Sequence, residues 1–278
     1  MFAPIGGFQK VSEAFEKLAL DCGVEIMYNK NVQSISSDGV SYIDSSENDE
    51  NESPKFLQAD MIIVNADLPY SKKTLIHNDE KEQANFSKSS ISRYDWDDKF
   101  DFSSGVIAFY WSIKKRCESL NTHNVFLVSS SRSDMEKSWS AVRYNDPEAR
   151  TFEDDSFPFN FYVHRASAVD DTAAPSDCDS LMILVPCCTL NRDSDLANLP
   201  KDECISGYKE QFDNEFISKV RDRVLNRLGA LDGLKDLKSL IVDEKVETPA
   251  TYADYYNLAA GTPFALVSYM CSLRLIIH

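Results

Sequence analysis

Histidine, cysteine, serine and carboxylate side chains carry most protein chemistry, and their spacing in this chain argues against the common kinds. The four histidines stand at 77, 123, 164 and 278. None forms H-x-x-x-H or neighbours a cysteine at ligand spacing, so no metal site is expected. The seven cysteines, at 22, 117, 178, 187, 188, 204 and 271, include no C-x-x-C. Their number is odd, and they read as reduced, mostly core thiols of an intracellular protein. There is no G-x-S-x-G, and no cysteine has an activating neighbourhood. Asp154-Asp155 and Asp170-Asp171 read as solvated turns, because adjacent carboxylates need a cleft to work as acid and base. The nine glycines, at 6, 7, 23, 39, 105, 207, 229, 233 and 261, fit neither G-x-G-x-x-G nor G-x-x-x-x-G-K-[ST]. A standard glycine-rich phosphate loop is therefore excluded within the chain.

What remains is a chemistry of close approach and of apolar surface. Gly6-Gly7 reads either as a place where a ligand nears the backbone or as a tight turn before a helix. Asn65-Ala66-Asp67 closes an apolar run, where ligands of open α/β sheets gather; the other reading is a helix N-cap or turn made by Asn65 or Asp67. The aromatics Phe109, Tyr110 and Trp111, with Phe159, Phe161 and Tyr162, read as core packing or as the lining of a long apolar tunnel. Strand alternation places Phe109 and Trp111 on one face and Tyr110 on the other, so at most one set faces a tunnel.

The elements that must position these residues follow from hydrophobic period. Phe8, Val11, Phe15, Leu18 and Cys22 recur at helical spacing, and Gly23 stops the helix. Val24–Tyr28, Val32–Ile35 and Val40–Ile43 alternate as strands. The acidic stretch 44–52 is a solvated loop or disordered insert. Phe56–Ala66 resumes as strand, with Met61-Ile62-Ile63-Val64 expected to be buried on both faces. Residues 69–92 read as helix and polar loop. Further strands are expected at Ser103–Ile113, Val125–Ser129, Phe159–His164, Leu181–Cys187 and Leu240–Glu247. A short helix is expected at Ser133–Tyr144, and a long helical region at Lys201–Leu228, kinked near Asp213. The fold class is α/β or α+β.

Composition bounds the partners. The chain has 278 residues, 43% hydrophobic and 27% charged, so a sizeable core is affordable and global disorder is excluded. Forty-five Asp+Glu against 29 Lys+Arg give −16, a surface that a phosphate backbone repels; nucleic acid is not an expected partner. The longest apolar stretch, Phe264–Ile277, contains Arg274 and is too short to span a bilayer. Met1 to Gly7 lack the basic and apolar regions of a signal peptide.

Several landmarks stand in a definite order: Ile5-Gly6-Gly7-Phe8, Gly23-Val24-Glu25-Ile26, Asn31-Val32-Gln33-Ser34-Ile35, and the segment from Ala59 to Tyr70. Phe109-Tyr110-Trp111, His123-Asn124-Val125-Phe126, Phe161-Tyr162-Val163-His164, Ala173-Ala174-Pro175, Leu184-Val185-Pro186 and Asn257 to Phe264 come after them. In this order they resemble the central part of phytoene desaturase-type flavoproteins, a group within the FAD-dependent amine oxidase-like superfamily that includes carotenoid isomerases. The resemblance implies a partial Rossmann-type FAD-binding framework interleaved with a substrate domain of mixed β-sheet and helices. It divides the chain into framework (1–70), substrate-binding domain (71–250) and a truncated return towards the FAD domain (251–278).

The implied activity is oxidation or isomerisation of a carotenoid-like polyene, with hydride passing to the flavin; no catalytic residue is assigned. By the same resemblance Val32 meets the FAD adenine through its backbone, while Asn65, Ala66, Gly6 and Gly7 lie near the flavin. Phe109, Trp111 and Tyr162 line the polyene site. Two parts of the family pattern are missing, the initial G-x-G-x-x-G unit and the final glycine-rich segment. The chain is therefore expected to be a fragment, inactive alone, poorly soluble and weak or lacking in FAD binding. A lipid-dissolved substrate implies peripheral contact with a membrane, and a photosynthetic source would imply the plastid. The rival readings are a non-catalytic interaction protein derived from the substrate domain, and another amine oxidase-like flavoenzyme.

Overall fold

Helix α1 runs Gln9–Asp21 and ends where the spacing requires, with Gly23 at φ +82°. The backbone there is left-handed, a conformation glycine adopts without strain. The structure is a computed structural model and describes residues 4–46, 53–76, 100–143, 157–190, 206–207, 209–264 and 266–268. The described residues fall into two units. One comprises residues up to 17 with 102–256 and 260–264; the other comprises 18–101, 257–259 and the residues from 265 onward.

In the second unit, β1 (Lys30–Ile35) pairs antiparallel with β2 (Gly39–Asp44), and β2 with β3 (Lys55–Gln58). The β1–β2 register shifts between Val32 and Ser34, leaving Gln33 as the bulged residue. Gly39 is required there, since a Cβ would lie 2.2 Å from the Leu57 carbonyl oxygen. A short turn α2 (Leu68–Tyr70) leads into one wide turn, Ser71–Leu75, and Ile76 bridges in parallel to Ile35.

Two segments expected as strand are not strand. Residues 24–28 and 61–64 have no regular secondary structure and lie outside any sheet, and Met61 and Ile63 are 79% and 85% exposed rather than buried on both faces. A continuous apolar run becomes a buried strand only between two neighbours, and no strand among the described residues pairs with either segment. The part of the acidic stretch from 47 to 52, and residues 77–92 of the expected helix and loop, lie outside the described residues. So do Asp154-Asp155 and the first five residues, 201–205, of the expected long helical region.

The first unit is built on a five-stranded antiparallel sheet. Its strands are β5 (Gly105–Ile113), β6 (Asn124–Leu127), β7 (Phe161–Arg165), β8 (Asp179–Cys187) and β9 (Ile241–Glu247); β4 (Phe100–Phe102) pairs instead with β10 (Leu266–Ser268) in a separate two-stranded sheet, most of whose residues fall in the second unit. The order across the larger sheet is β6-β7-β8-β5-β9. Its helices are α3 (Arg132–Arg143), α4 (Asn214–Gly229), the turn α5 (Leu237–Leu240) and α6 (Pro249–Tyr256). This mixture of helices and antiparallel sheets is the expected α/β class.

Alternation sorts the sheet into two faces. Ile107, Phe109, Trp111, Val163, Ile183 and Val185 point to the core, where Val220, Val224 and Leu228 of α4 meet them at i, i+4, i+8 spacing. The expected kink at Asp213 is instead the start of α4. The Asp213 carboxylate accepts from the Phe216 amide at 2.8 Å, an N-cap that competes with continuation of any preceding turn.

Candidate functional site

The expected site residues are distributed over both units. Val32 is half-buried on β1 opposite Tyr42. Asn65 and Ala66 are exposed, with Ala66 at a bend before α2, and the Asp67 carboxylate caps that turn by accepting from the Tyr70 amide at 3.1 Å. The capping alternative thus holds for Asp67.

Gly6 and Gly7 have φ of +83° and +82°. Gly7 donates to the Pro4 carbonyl and accepts from the Lys10 amide, each at 3.1 Å, so the tight turn into α1 is present. Among the described residues, apart from its two chain neighbours, no atom lies within 4 Å of a Cβ placed on Gly7, so backbone conformation, not crowding, demands glycine there. The Gly6 amide donates to Asp170 Oδ2 at 2.7 Å across 164 residues of sequence.

The aromatic candidates separate by face. Phe109 and Trp111 are almost wholly buried in the core, with ring centroids 5.8 Å apart, and Trp111 Nε1 donates to Glu244 Oε2. Tyr162 lies on the opposite, half-buried face. There its hydroxyl meets Asn124 Oδ1 and lies 3.3 Å from His164 Nδ1, which in turn lies 3.2 Å from Asn124 Oδ1. The Phe126 ring, 71% exposed, packs 5.0 Å from the Tyr162 ring. Register puts Phe126, Tyr162, Leu184 and Ala108 in one row across the sheet. Asn124, His164, Met182 and Tyr110 form the next row. On β9, Lys245 continues the second row and Glu247 the first; the Tyr110 hydroxyl donates to Glu247 Oε2 at 3.1 Å, and Lys245 and Tyr256 reach the other carboxylate oxygen.

His164 and Asn124 are the polar residues on this face that sequence reasoning misses, because it treats histidine only as a metal ligand. The two-residue spacing Tyr162-x-His164 is the available signal, since it places both side chains on one strand face. Burial, then the neighbouring His123, lowers the His164 pKa below the ordinary histidine value and holds the ring neutral. Burial, then Glu247, raises the Tyr110 hydroxyl, so it acts as a donor at neutral pH.

Beneath the strand ends, Asp179 is fully buried. It accepts from Arg165 Nε at 2.9 Å, from the Cys117 amide and from the Ser167 hydroxyl. Among the described residues no cluster of His, Cys, Asp and Glu is suited to a metal, and no helix is long and apolar enough to cross a membrane.

No protein-family model matches the chain. Among curated proteins it is 31% identical over 271 residues to phytoene desaturase of Neurospora crassa, covering 95% of this chain and 39% of that protein. To phytoene desaturase of Fusarium fujikuroi it is 32% identical over 275 residues, covering 95% and 42%. To a 4,4'-diapophytoene desaturase of Staphylococcus haemolyticus it is 24% identical over 277 residues, covering 94% and 45%. The chain thus spans less than half the length of the curated relatives it matches. Over nearly all of its residues, the chain is similar to phytoene and diapophytoene desaturases of fungi and bacteria alike.

Proposed function

We propose that this chain is the substrate sheet and part of the flavin framework of an FAD-dependent oxidoreductase that desaturates or isomerises carotenoid-like polyenes. The observation that carries this reading is the collinear similarity over about 95% of the chain to proteins named for phytoene and diapophytoene desaturation. The open sheet face supports it. Phe126, Tyr162, Leu184, Met182 and Tyr110 offer an apolar, aromatic floor, while Phe109 and Trp111 stabilise it from the core side. From β6 to β5, strand spacings of roughly 4.8 Å make this floor about 14 Å across, a length suited to an extended polyene segment.

The residues fit the cofactor in part. The left-handed, unobstructed Gly7 and the small exposed Ala66 suit close approach by a planar ring, and Val32 offers strand backbone to an adenine edge. Nothing in the sequence supplies a pyrophosphate loop. When bound, FAD would supply the hydride acceptor. The chain's own side chains would hold the polyene on the floor described. Lacking a pyrophosphate loop, the chain alone is expected to bind FAD weakly or not at all. Contact with a membrane surface, from which a lipid-dissolved substrate would enter, and a plastid location in a photosynthetic source belong to the same proposal.

The test is a full-length transcript read through both ends of the reading frame, with its product and this chain each expressed in phytoene-accumulating cells. Conversion of phytoene to longer-wavelength or isomerised polyenes by the longer product supports the proposal. A flavin-bound product that leaves every polyene unchanged overturns it in favour of another amine oxidase-like activity. A stable, flavin-free protein with a defined protein partner overturns it in favour of an interaction role.

A further inference from the structure

The bond between Gly6 and Asp170 joins two segments of opposite character. One is the glycine turn that starts α1; the other is the loop between β7 and β8 of the substrate sheet. The Asp170 carboxylate is held in place by its own loop. Oδ1 accepts from the Thr172 amide at 2.9 Å and from the Thr172 hydroxyl at 2.6 Å, leaving Oδ2 to take the Gly6 amide at 2.7 Å. Two consecutive left-handed residues are conformationally permissive, because glycine samples both signs of φ with similar ease. A short, charge-assisted bond at the first of them selects one arrangement.

We propose that Asp170 is a positioning residue. Through the Gly6 amide its carboxylate fixes the Gly6–Gly7 turn in the conformation that opens Gly7 to a ligand. The consequence for flavin rests on the function proposed above; the bond itself does not. The Thr172 hydroxyl, then the Gly6 and Thr172 amides, lower the Asp170 pKa, so the acceptor is ionised at neutral pH. The other charged groups at the junction are Asp171, next in the chain, and Lys10, whose ammonium pairs with Glu13 at 2.7 Å.

The experiment is amide NMR on the ¹⁵N-labelled chain. In the unsubstituted chain, the Gly6 amide proton is expected downfield, shifting with pH as the Asp170 carboxylate titrates below the ordinary aspartate range. Asp170→Ala should remove the downfield shift and speed Gly6 exchange roughly ten-fold or more, with protection of β5 and β8 unchanged. Asp170→Asn keeps an acceptor oxygen and should retain most of the protection, while abolishing the pH dependence. A Gly6 amide indifferent to Asp170→Ala, or an Asp170→Asn chain that behaves like the alanine variant, overturns the proposal. Flavin affinity of the full-transcript product separates the two ideas. If Asp170→Ala loosens the turn and weakens flavin binding several-fold, both stand. If it loosens the turn and leaves flavin binding intact, the positioning role stands and the flavin contact at Gly6–Gly7 falls.

Discussion

Side-chain environment decides which of the chemically capable residues are available. Burial, then the charge of Asp179, pushes the Cys117 thiol up to about 12, and burial raises Cys187 as well. Since the thiolate is the reactive form, a mild alkylating agent at pH 8 is expected to label exposed Cys22 and to spare Cys117 and Cys187 until the protein unfolds; peptide mapping by mass spectrometry checks this. Asp179 serves structure. Replacing it with alanine removes the buried partner of Arg165 and leaves, among the described residues, only the exposed Glu118 carboxylate at 3.9 Å, and a loss of about 3 kcal/mol is expected by denaturant unfolding.

His164 gives the molecule a pH-dependent element. Its folded pKa lies below the unfolded value near 6.5, so the unfolded chain binds more protons between the two. The stabilisation from keeping the ring neutral is complete above the unfolded value and is lost as pH falls through the folded one. Unfolding midpoints should therefore drop as pH is lowered below about 6.5. His164→Gln should flatten that part of the profile.

At the level of elements, capping and pairing account for where the sequence is legible. Replacing Asp213 with alanine should cost about 1 kcal/mol, since the Phe216 amide loses its acceptor; thermal melts with Asp213→Asn as the tolerated control measure it. Helix α1 and strands β1, β2, β5, β8 and β9 are readable because their periods are clear and their stops are local: Gly23 after α1, Asp179 and Cys187 bounding β8. Residues 24–28 and 61–64 mislead because composition specifies what a segment can do, while pairing depends on neighbours far along the chain. The site is legible as residue types and less so as geometry. Alternation separates Tyr110 from Phe109 and Trp111. The grouping of Asn124 with Tyr162 and His164 depends on β6–β7 register, and the reach of Asp170 to Gly6 depends on a contact across 164 residues.

Across the described residues, apolar side chains are unequally covered. The five-stranded sheet has a closed core in which Trp111 is 1% exposed, so Trp111→Ala should cost about 3–5 kcal/mol. In contrast no residue of α1 is buried, and Phe8 and Phe15 are 80% and 67% exposed. Exposed apolar faces of this kind attract partners or aggregate. The isolated chain should bind a hydrophobic dye strongly and precipitate at moderate concentration. Phe8→Ser with Phe15→Ser is expected to reduce both, by fluorescence and by light scattering.

The strand order has a further consequence for biosynthesis. Strand β5 is central, yet both its partners lie downstream: Trp111 meets Leu181 on β8 and Glu244 on β9. During translation β5 emerges with two open edges and waits about 70 residues for its first neighbour, roughly 4–14 s at ribosomal speed. Its apolar sequence, Gly105-Val106-Ile107-Ala108-Phe109-Tyr110-Trp111, must be kept from pairing with other nascent chains over that interval. Yield of the native sheet should thus depend on holding chaperones and on prompt synthesis through β8 more than on the final stability of the core.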